Sequence, residues 1–126
     1  MISGTNMILQ KTKQIIIVNG ALKLSTEKLV AQLKQASAGA FRAADADARK
    51  MWLVAGRPKV IARTLGEDDF YDLLLKAQRR KLPLYRVGDD TLGIGPACEI
   101  QIEQLTMLLD LYMWVRQNAL NAVPLR

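Results

Sequence analysis

The chain has 126 residues, half of them hydrophobic and 24% charged, with a formal net charge of +6 and no histidine. This length and composition predict one globular domain and exclude intrinsic disorder. Without histidine, a Ser-His-Asp or Cys-His nucleophile is excluded, and with Cys98 as the single cysteine the sequence argues against a zinc site and an internal disulfide. No apolar run reaches membrane-spanning length, so the expected compartment is the cytoplasm.

The net positive charge favours an anionic partner such as RNA, DNA or an acidic membrane surface. The alternative, a basic surface that binds no polyanion, stays open on charge alone.

The first third of the chain predicts an arm, a strand and a helix. Residues 1–10 form the expected N-terminal arm. A β-branched run from Gln14 to Asn19 is typical of a strand buried on both faces, and Asn19-Gly20 ends it. Ser25 is the expected N-cap of a helix whose small residues, around Gly39, predict close packing against a sheet.

The middle of the chain predicts a helix, a strand and a second helix. The short helix extends from Asp45 to Val54, and the strand from Lys59 to Thr64 alternates in polarity. The next helix has acidic residues at its start and basic residues at its end, which suits the helix dipole. Its predicted buried stripe is Phe70, Leu73, Leu74 and Ala77.

The last third predicts a hairpin and a long helix. Strands from Leu84 to Val87 and from Thr91 to Ile94 flank the tight turn Gly88-Asp89-Asp90, and Gly95-Pro96 is expected to end the second strand. A helix follows from about Cys98 to Leu120. The order βα(α)βαββα predicts an α/β domain over residues 11–126, with a mixed, largely parallel sheet of about four strands and helices on both faces.

Two groups of residues are candidates for chemistry. Lys23 and Lys28 flank the start of the first helix, where a phosphate can bind, although two solvated lysines give the same pattern. Asp89 and Asp90 suit a turn through local hydrogen bonds, and either is also a candidate base. Gly93-Ile94-Gly95 fails the dinucleotide fingerprint because position 98 is cysteine.

Several segments, in order along the chain, resemble the archaeal-type (second-type) peptidyl-tRNA hydrolases. The most specific segment is Thr91-Leu92-Gly93-Ile94-Gly95-Pro96-Ala97, which is similar to the family's "VLGIGPAP". Weaker segments become informative through their order, and the resemblance covers roughly Lys11 to Leu109. These weaker segments are Lys13 to Val18, Leu22-Lys23-Leu24 with Lys28 and Ala31-Gln32, Ala36 to Phe41, Trp52 to Thr64, and Leu82-Pro83.

The resemblance implies the family's α/β fold and hydrolysis of the ester between a peptide and its tRNA, without metal or organic cofactor. It places Lys23 and Lys28 on the family's functional lysine positions, and Gln32 on a glutamine of the same helix. We therefore expect tRNA as the partner, with Lys23, Lys28, Gln32 and Arg86 as RNA-binding residues.

The chain departs from the family at three places. Gln35 replaces a histidine, Ala21 replaces an acidic residue, and a longer loop that supplies an aspartate and a threonine is cut to the turn before Thr91. Val87 falls near the expected aspartate, so Asp89 or Asp90 is the candidate substitute.

These departures leave two hypotheses open. In the first, the chain hydrolyses peptidyl-tRNA or a related aminoacyl-tRNA: the lysines bind phosphates or the developing oxyanion, and a turn aspartate positions water. In the second, it is a non-catalytic relative that binds RNA or protein.

The final helix predicts self-association. One stripe, which includes Leu105 and Tyr112, is wide enough to cover a sheet, and Met107, Leu111 and Trp114 fall on a different face. A helix apolar on two faces favours a homodimer through this helix. The alternative is that the N-terminal arm covers the second face.

Overall fold

The computed structural model describes residues 11–107. The elements are β1 (Thr12–Val18), α1 (Thr26–Ala43), α2 (Ala46–Val54), β2 (Lys59–Arg63), α3 (Glu67–Arg79), β3 (Leu84–Val87) and β4 (Thr91–Cys98). A last helix, α4, begins at residue 99 and reaches residue 107. The predicted arm of residues 1–10 and the predicted helix beyond residue 107 lie outside the described residues. Within residues 11–107, no helix is long and apolar enough to cross a membrane.

The sheet is mixed and four-stranded, in the order β2-β1-β4-β3. The α/β class and the mixed sheet are therefore confirmed. The sheet is less parallel than expected: β1 pairs with β2 in parallel, whereas β4 is antiparallel to both β1 and β3. Three strands run in one direction, but β4 lies between two of them, so only one neighbouring pair is parallel.

The prediction that Gly95-Pro96 ends the last strand is wrong, because β4 continues to Cys98. The pairing of β1 with β4 shifts register here: Ile15 pairs with Ile94, and Lys13 pairs with Ala97. β4 thus has one residue more than β1 across this step, which is a bulge. A bulge accommodates proline inside a sheet because the ladder is already interrupted there.

The two faces of the sheet carry different helices. Ile15 and Ile17 belong to the main hydrophobic cluster with residues of α3 and α4. The cluster contains all four residues of the predicted α3 stripe, which is therefore confirmed. Helices α1 and α2 pack on the opposite face, against β1 and β4. The prediction of helices on both faces is confirmed.

Helix α1 packs so closely on the sheet that its backbone contacts the backbone of β4. A Cβ atom added to Gly93 of β4 would lie 2.2 Å from the backbone oxygen of Ala36, and one added to Gly39 would lie 2.1 Å from the Tyr85 ring. The buried residues of α1 are Gln32, Ala36, Gly39 and Ala40, all small except the glutamine. The predicted close packing of the small-residue helix is confirmed, and Gly93 cannot take a side chain without displacing α1.

Candidate functional site

The side chain of Asn19 fixes the hairpin turn to the end of β1. Asn19 follows β1 and is fully buried. Its Nδ2 donates to the backbone oxygen of Asp89 (2.9 Å), and its backbone N–H donates to the backbone oxygen of Asp90 (2.8 Å). Its Oδ1 accepts from the N–H of Ala21 (3.0 Å), which begins the loop that carries Lys23. One residue therefore joins the turn between β3 and β4 to the loop that leads into α1.

The carboxylate of Asp90 is bound to α1. Gln32 Nε2 donates to Asp90 Oδ2 (2.6 Å), and Gln32 Oε1 accepts from the hydroxyl of Thr91 (2.9 Å). Gln32 is 7% exposed and Thr91 is fully buried, whereas Asp90 is only partly buried. The amide is thus held at both of its ends, and it presents Asp90 at the rim of the sheet with access to solvent.

The two predicted lysines lie at the same end of the fold. Lys28 precedes Gln32 by four residues, so the two residues lie on one side of α1. The Ser25 side chain caps this helix by accepting from the N–H of Lys28 (3.2 Å), which confirms the predicted N-cap. The Lys23 and Lys28 side chains are exposed, and neither forms an ion pair within residues 11–107. Both charges are available to an anionic ligand.

Asp89 turns to the opposite face of the sheet. Its carboxylate pairs with Arg86 and accepts a hydrogen bond from the Tyr71 hydroxyl of α3. The Arg86 guanidinium also donates to the backbone oxygen of Gly88 (2.7 Å) and lies 5.5 Å from the Tyr71 ring centroid. The hydrogen bond from Tyr71, and then Arg86, lower the pKa of Asp89, and Asp89 raises the pKa of Tyr71. Asp89 is therefore held ionised in a local cluster.

The structure separates the sequence candidates into two groups. Gln32 and Asp90 are in contact, with Lys28 on the same side of α1, while Asp89 and Arg86 bind each other. Asn19 was predicted only to end a strand, and Thr91 only to begin a strand and the family segment. A polar residue directly after the apolar run Ile15 to Val18 is the sequence signal that could have indicated Asn19. Within residues 11–107, no three His, Cys, Asp or Glu side chains are grouped as a metal site requires.

Comparisons with known proteins give the family. The model of the family Peptidyl-tRNA hydrolase PTH2 matches residues 12–112. The chain belongs to this peptidyl-tRNA hydrolase family. The peptidyl-tRNA hydrolase of Methanopyrus kandleri is 39% identical over an alignment of 107 positions that covers 75% of this chain and 92% of that protein. The peptidyl-tRNA hydrolase of Methanothermobacter thermautotrophicus is 30% identical over an alignment of 105 positions that covers 75% of this chain and 94% of that protein.

A more distant relative is the human mitochondrial peptidyl-tRNA hydrolase 2, which is 28% identical over an alignment of 114 positions that covers 79% of this chain and 64% of that protein. The family resemblance inferred from the sequence is confirmed. The matched residues 12–112 include the whole cluster from Asn19 to Thr91, so the cluster lies within the family's peptidyl-tRNA hydrolase domain.

The cluster around Asp89 has a pH signature. We expect Tyr71→Phe to raise the pKa of Asp89 toward its ordinary value, because the largest stabilising contact of the carboxylate is lost. A lowered folded-state pKa stabilises the fold above the ordinary aspartate pKa of about 3.9, and this contribution is lost as the pH falls through the lowered value. The variant should therefore show a weaker loss of stability in that acid range.

An NMR titration of the Asp89 carboxyl carbon measures this shift directly. Tyr85→Phe is the matched control, since it removes a hydroxyl from a tyrosine on the other face of the sheet. An unchanged Asp89 titration in Tyr71→Phe would contradict the assigned hydrogen bond.

Proposed function

We propose that this chain hydrolyses the ester between a peptide and its tRNA. The observation that carries the proposal is the Asp90–Gln32–Thr91 cluster, which exposes a fixed carboxylate on the same side of α1 as Lys28, in a chain of the peptidyl-tRNA hydrolase family. The relatives reported above support this substrate through their names. Because such a substrate arises in translation, we propose the cytoplasm as the compartment.

Asp90 is the proposed water-positioning group. Its carboxylate accepts a proton from water as the water oxygen attacks the ester carbonyl carbon, and the bond between that carbon and the ribose oxygen then breaks. The same proton then passes from Asp90 to the departing ribose oxygen, so Asp90 is again an ionised carboxylate after the reaction. Gln32 holds the carboxylate in place, and Lys28 offers a positive charge to the oxyanion or to a phosphate.

Asp90 is a better candidate than Asp89, although sequence reasoning left them equivalent. Asp90 lies on the face of the sheet that α1 covers, on the same side of that helix as Lys28. Asp89 is bound to Arg86 and Tyr71 on the face that α3 covers. The lowered pKa of Asp89 also makes it a weaker base. Arg86, predicted as an RNA-binding residue, has its guanidinium occupied by Asp89 and Gly88, so we propose a structural role for it.

We predict that Asp90→Asn lowers kcat by roughly 100-fold or more, which is the usual range for loss of a general base. Asp89→Asn is the matched control: it makes the same chemical change one residue away and should cost far less. The measurement is single-turnover release of peptide from purified peptidyl-tRNA.

Full activity in Asp90→Asn would remove Asp90 from the mechanism. A wild-type chain that binds tRNA without hydrolysing the ester would instead support the non-catalytic alternative.

Lys23 and Lys28 are proposed to contact tRNA phosphates. Both are exposed without an ion pair in the described part of the chain, and Lys28 follows the start of α1 by two residues, where the helix dipole adds positive potential. We predict that Lys28→Ala weakens tRNA binding and reduces the slope of log K against log salt by about one contact. Arg79→Ala, on the opposite face, removes the same charge and should leave the slope unchanged. An equal slope in wild type and Lys28→Ala would exclude the contact.

A homodimer through the final helix is also proposed. In the described part of α4, Ile102 and Leu105 are buried, while Ile100 and Met107 are 62% and 61% exposed. Ile100 and Met107 are seven residues apart, so they lie on one face of the helix. This exposed apolar face, separate from the buried one, supports an interface.

We expect the wild-type chain to sediment as a dimer at micromolar concentration and Met107→Glu to shift it to the monomer, because a buried unpaired carboxylate is costly. Gln101→Glu introduces the same charge on another exposed face of α4 and should leave the dimer intact. A wild-type monomer, unchanged by Met107→Glu, would show that the face is not an interface.

A further inference from the structure

A basic cleft lies between α1, α2 and the start of β2. The cleft has a volume of about 360 Å³ and is lined by nine residues, four of them cationic and none acidic. The four cations are Lys34, Arg42, Arg57 and Lys59. None of them forms an ion pair within residues 11–107. A concave surface with charges of one sign focuses positive potential and selects an anionic ligand.

The apolar wall of this cleft is aromatic. The rings of Phe41 and Trp52 lie 5.7 Å apart between centroids and are tilted by 44°. The Trp52 indole N–H donates to the backbone oxygen of Pro58 (2.7 Å), which fixes a ring that is only 4% exposed. Phe41 is only partly buried, and the Arg49 guanidinium lies 5.8 Å from its ring centroid. A partly exposed aromatic ring beside cations that form no ion pair in the described residues is the chemistry that binds an unpaired base together with its phosphate.

The cleft lies at the opposite end of β1 from the proposed catalytic group. Gln14 of β1 pairs with Lys59, while Asn19, five residues further along, holds Asp90. At about 3.3 Å per residue, the two places are roughly 17 Å apart along the strand. A few nucleotides of a single strand cover that distance when the ester at the end of the strand lies at Asp90.

We propose that this cleft binds the single-stranded end of the tRNA, with a base against Phe41 and phosphates against Lys34 and Arg42. This inference rests on the proposed function for its substrate, but the binding itself involves no ester chemistry. It assigns to the α1–α2 face a second contact that holds the nucleic acid, at a distance from the residues that cleave it.

Short oligonucleotides test the cleft directly. The probes are a labelled single-stranded RNA tetranucleotide and an abasic ribose–phosphate strand of equal length, with affinity measured by fluorescence anisotropy over a salt series. Lys34→Ala/Arg42→Ala should weaken binding of both strands by about tenfold and reduce the salt slope by about 1.4, for two single-strand phosphate contacts. The control Arg79→Ala/Arg80→Ala removes two charges at the end of α3 and should leave both values near those of the wild type.

Substitution of Phe41 separates stacking from charge. Phe41→Leu should weaken binding of the RNA strand by about fivefold or more, with little effect on the abasic strand. Phe41→Tyr keeps the ring and should retain the affinity, so a folding defect in the leucine variant does not obscure the result. An equal loss in the α3 control, or an affinity for RNA that is indifferent to both Phe41→Leu and Phe41→Tyr, would overturn the proposal in favour of a nonspecific polyanion surface.

Hydrolysis distinguishes this proposal from the proposed function. With peptidyl-tRNA, the Lys34→Ala/Arg42→Ala variant should raise KM while kcat stays unchanged, because the cleft holds the strand and does not touch the ester. If the wild-type chain binds the RNA strand as expected but cleaves no peptidyl-tRNA, the proposed function fails and the cleft stands. If it cleaves peptidyl-tRNA with a KM that the double variant leaves unchanged, the cleft proposal fails and the function stands.

Discussion

Two buried side-chain amides, one in β1 and one directly after it, set the positions of helix α1 and of the hairpin turn. Asn19, at the end of β1, binds the backbone of the hairpin turn, and Gln14, near its start, donates to the backbone oxygens of Ser37 and Gly95. Both side chains are fully buried, and burial without partners is costly, so each amide accepts only an arrangement that satisfies it. Gln14 thereby sets the position of α1 on the sheet, and Asn19 sets the position of Asp90. The 2.6 Å contact between Gln32 and Asp90 depends on both placements.

The fate of the two adjacent aspartates follows from this constraint. Asn19 holds the turn through the backbone oxygens of Asp89 and Asp90, and the side chains of these two residues extend to opposite faces of the sheet. On one face, a tyrosine and an arginine stabilise the ionised form of Asp89. On the other, an amide that is itself fixed by Thr91 holds Asp90. A shortened hairpin can in this way keep one carboxylate for structure and present its neighbour to solvent.

The elements of this fold were predictable because local pattern encodes them. The β-branched run of β1, the Ser25 cap and the α3 stripe each depend on neighbours in sequence, and the structure confirms them. The extension of β4 past Pro96 was not predictable, since it depends on a bulge opposite β1. Lys23 and Lys28 became candidates through their place at the start of the first helix and through the family resemblance, and Gln32 through the resemblance alone. The choice between Asp89 and Asp90 depends on which helix covers each face, and sequence spacing does not contain that information.

Helix α1 combines the demands of packing and of binding. Its small residues must face the sheet, because Gly93 and Tyr85 leave no room for larger ones there. Apart from Gln32, its long polar and aromatic residues lie on the rest of the helix, with Lys28 near its start, Lys34 in its middle and Phe41 near its end. Because the helix packs closely, this outer surface lies near the rim of the sheet. Lys28 and one wall of the basic cleft therefore belong to one helix, α1. Lys28, Lys34 and Arg42 are all exposed on this outer surface, where a strand of phosphates can reach them.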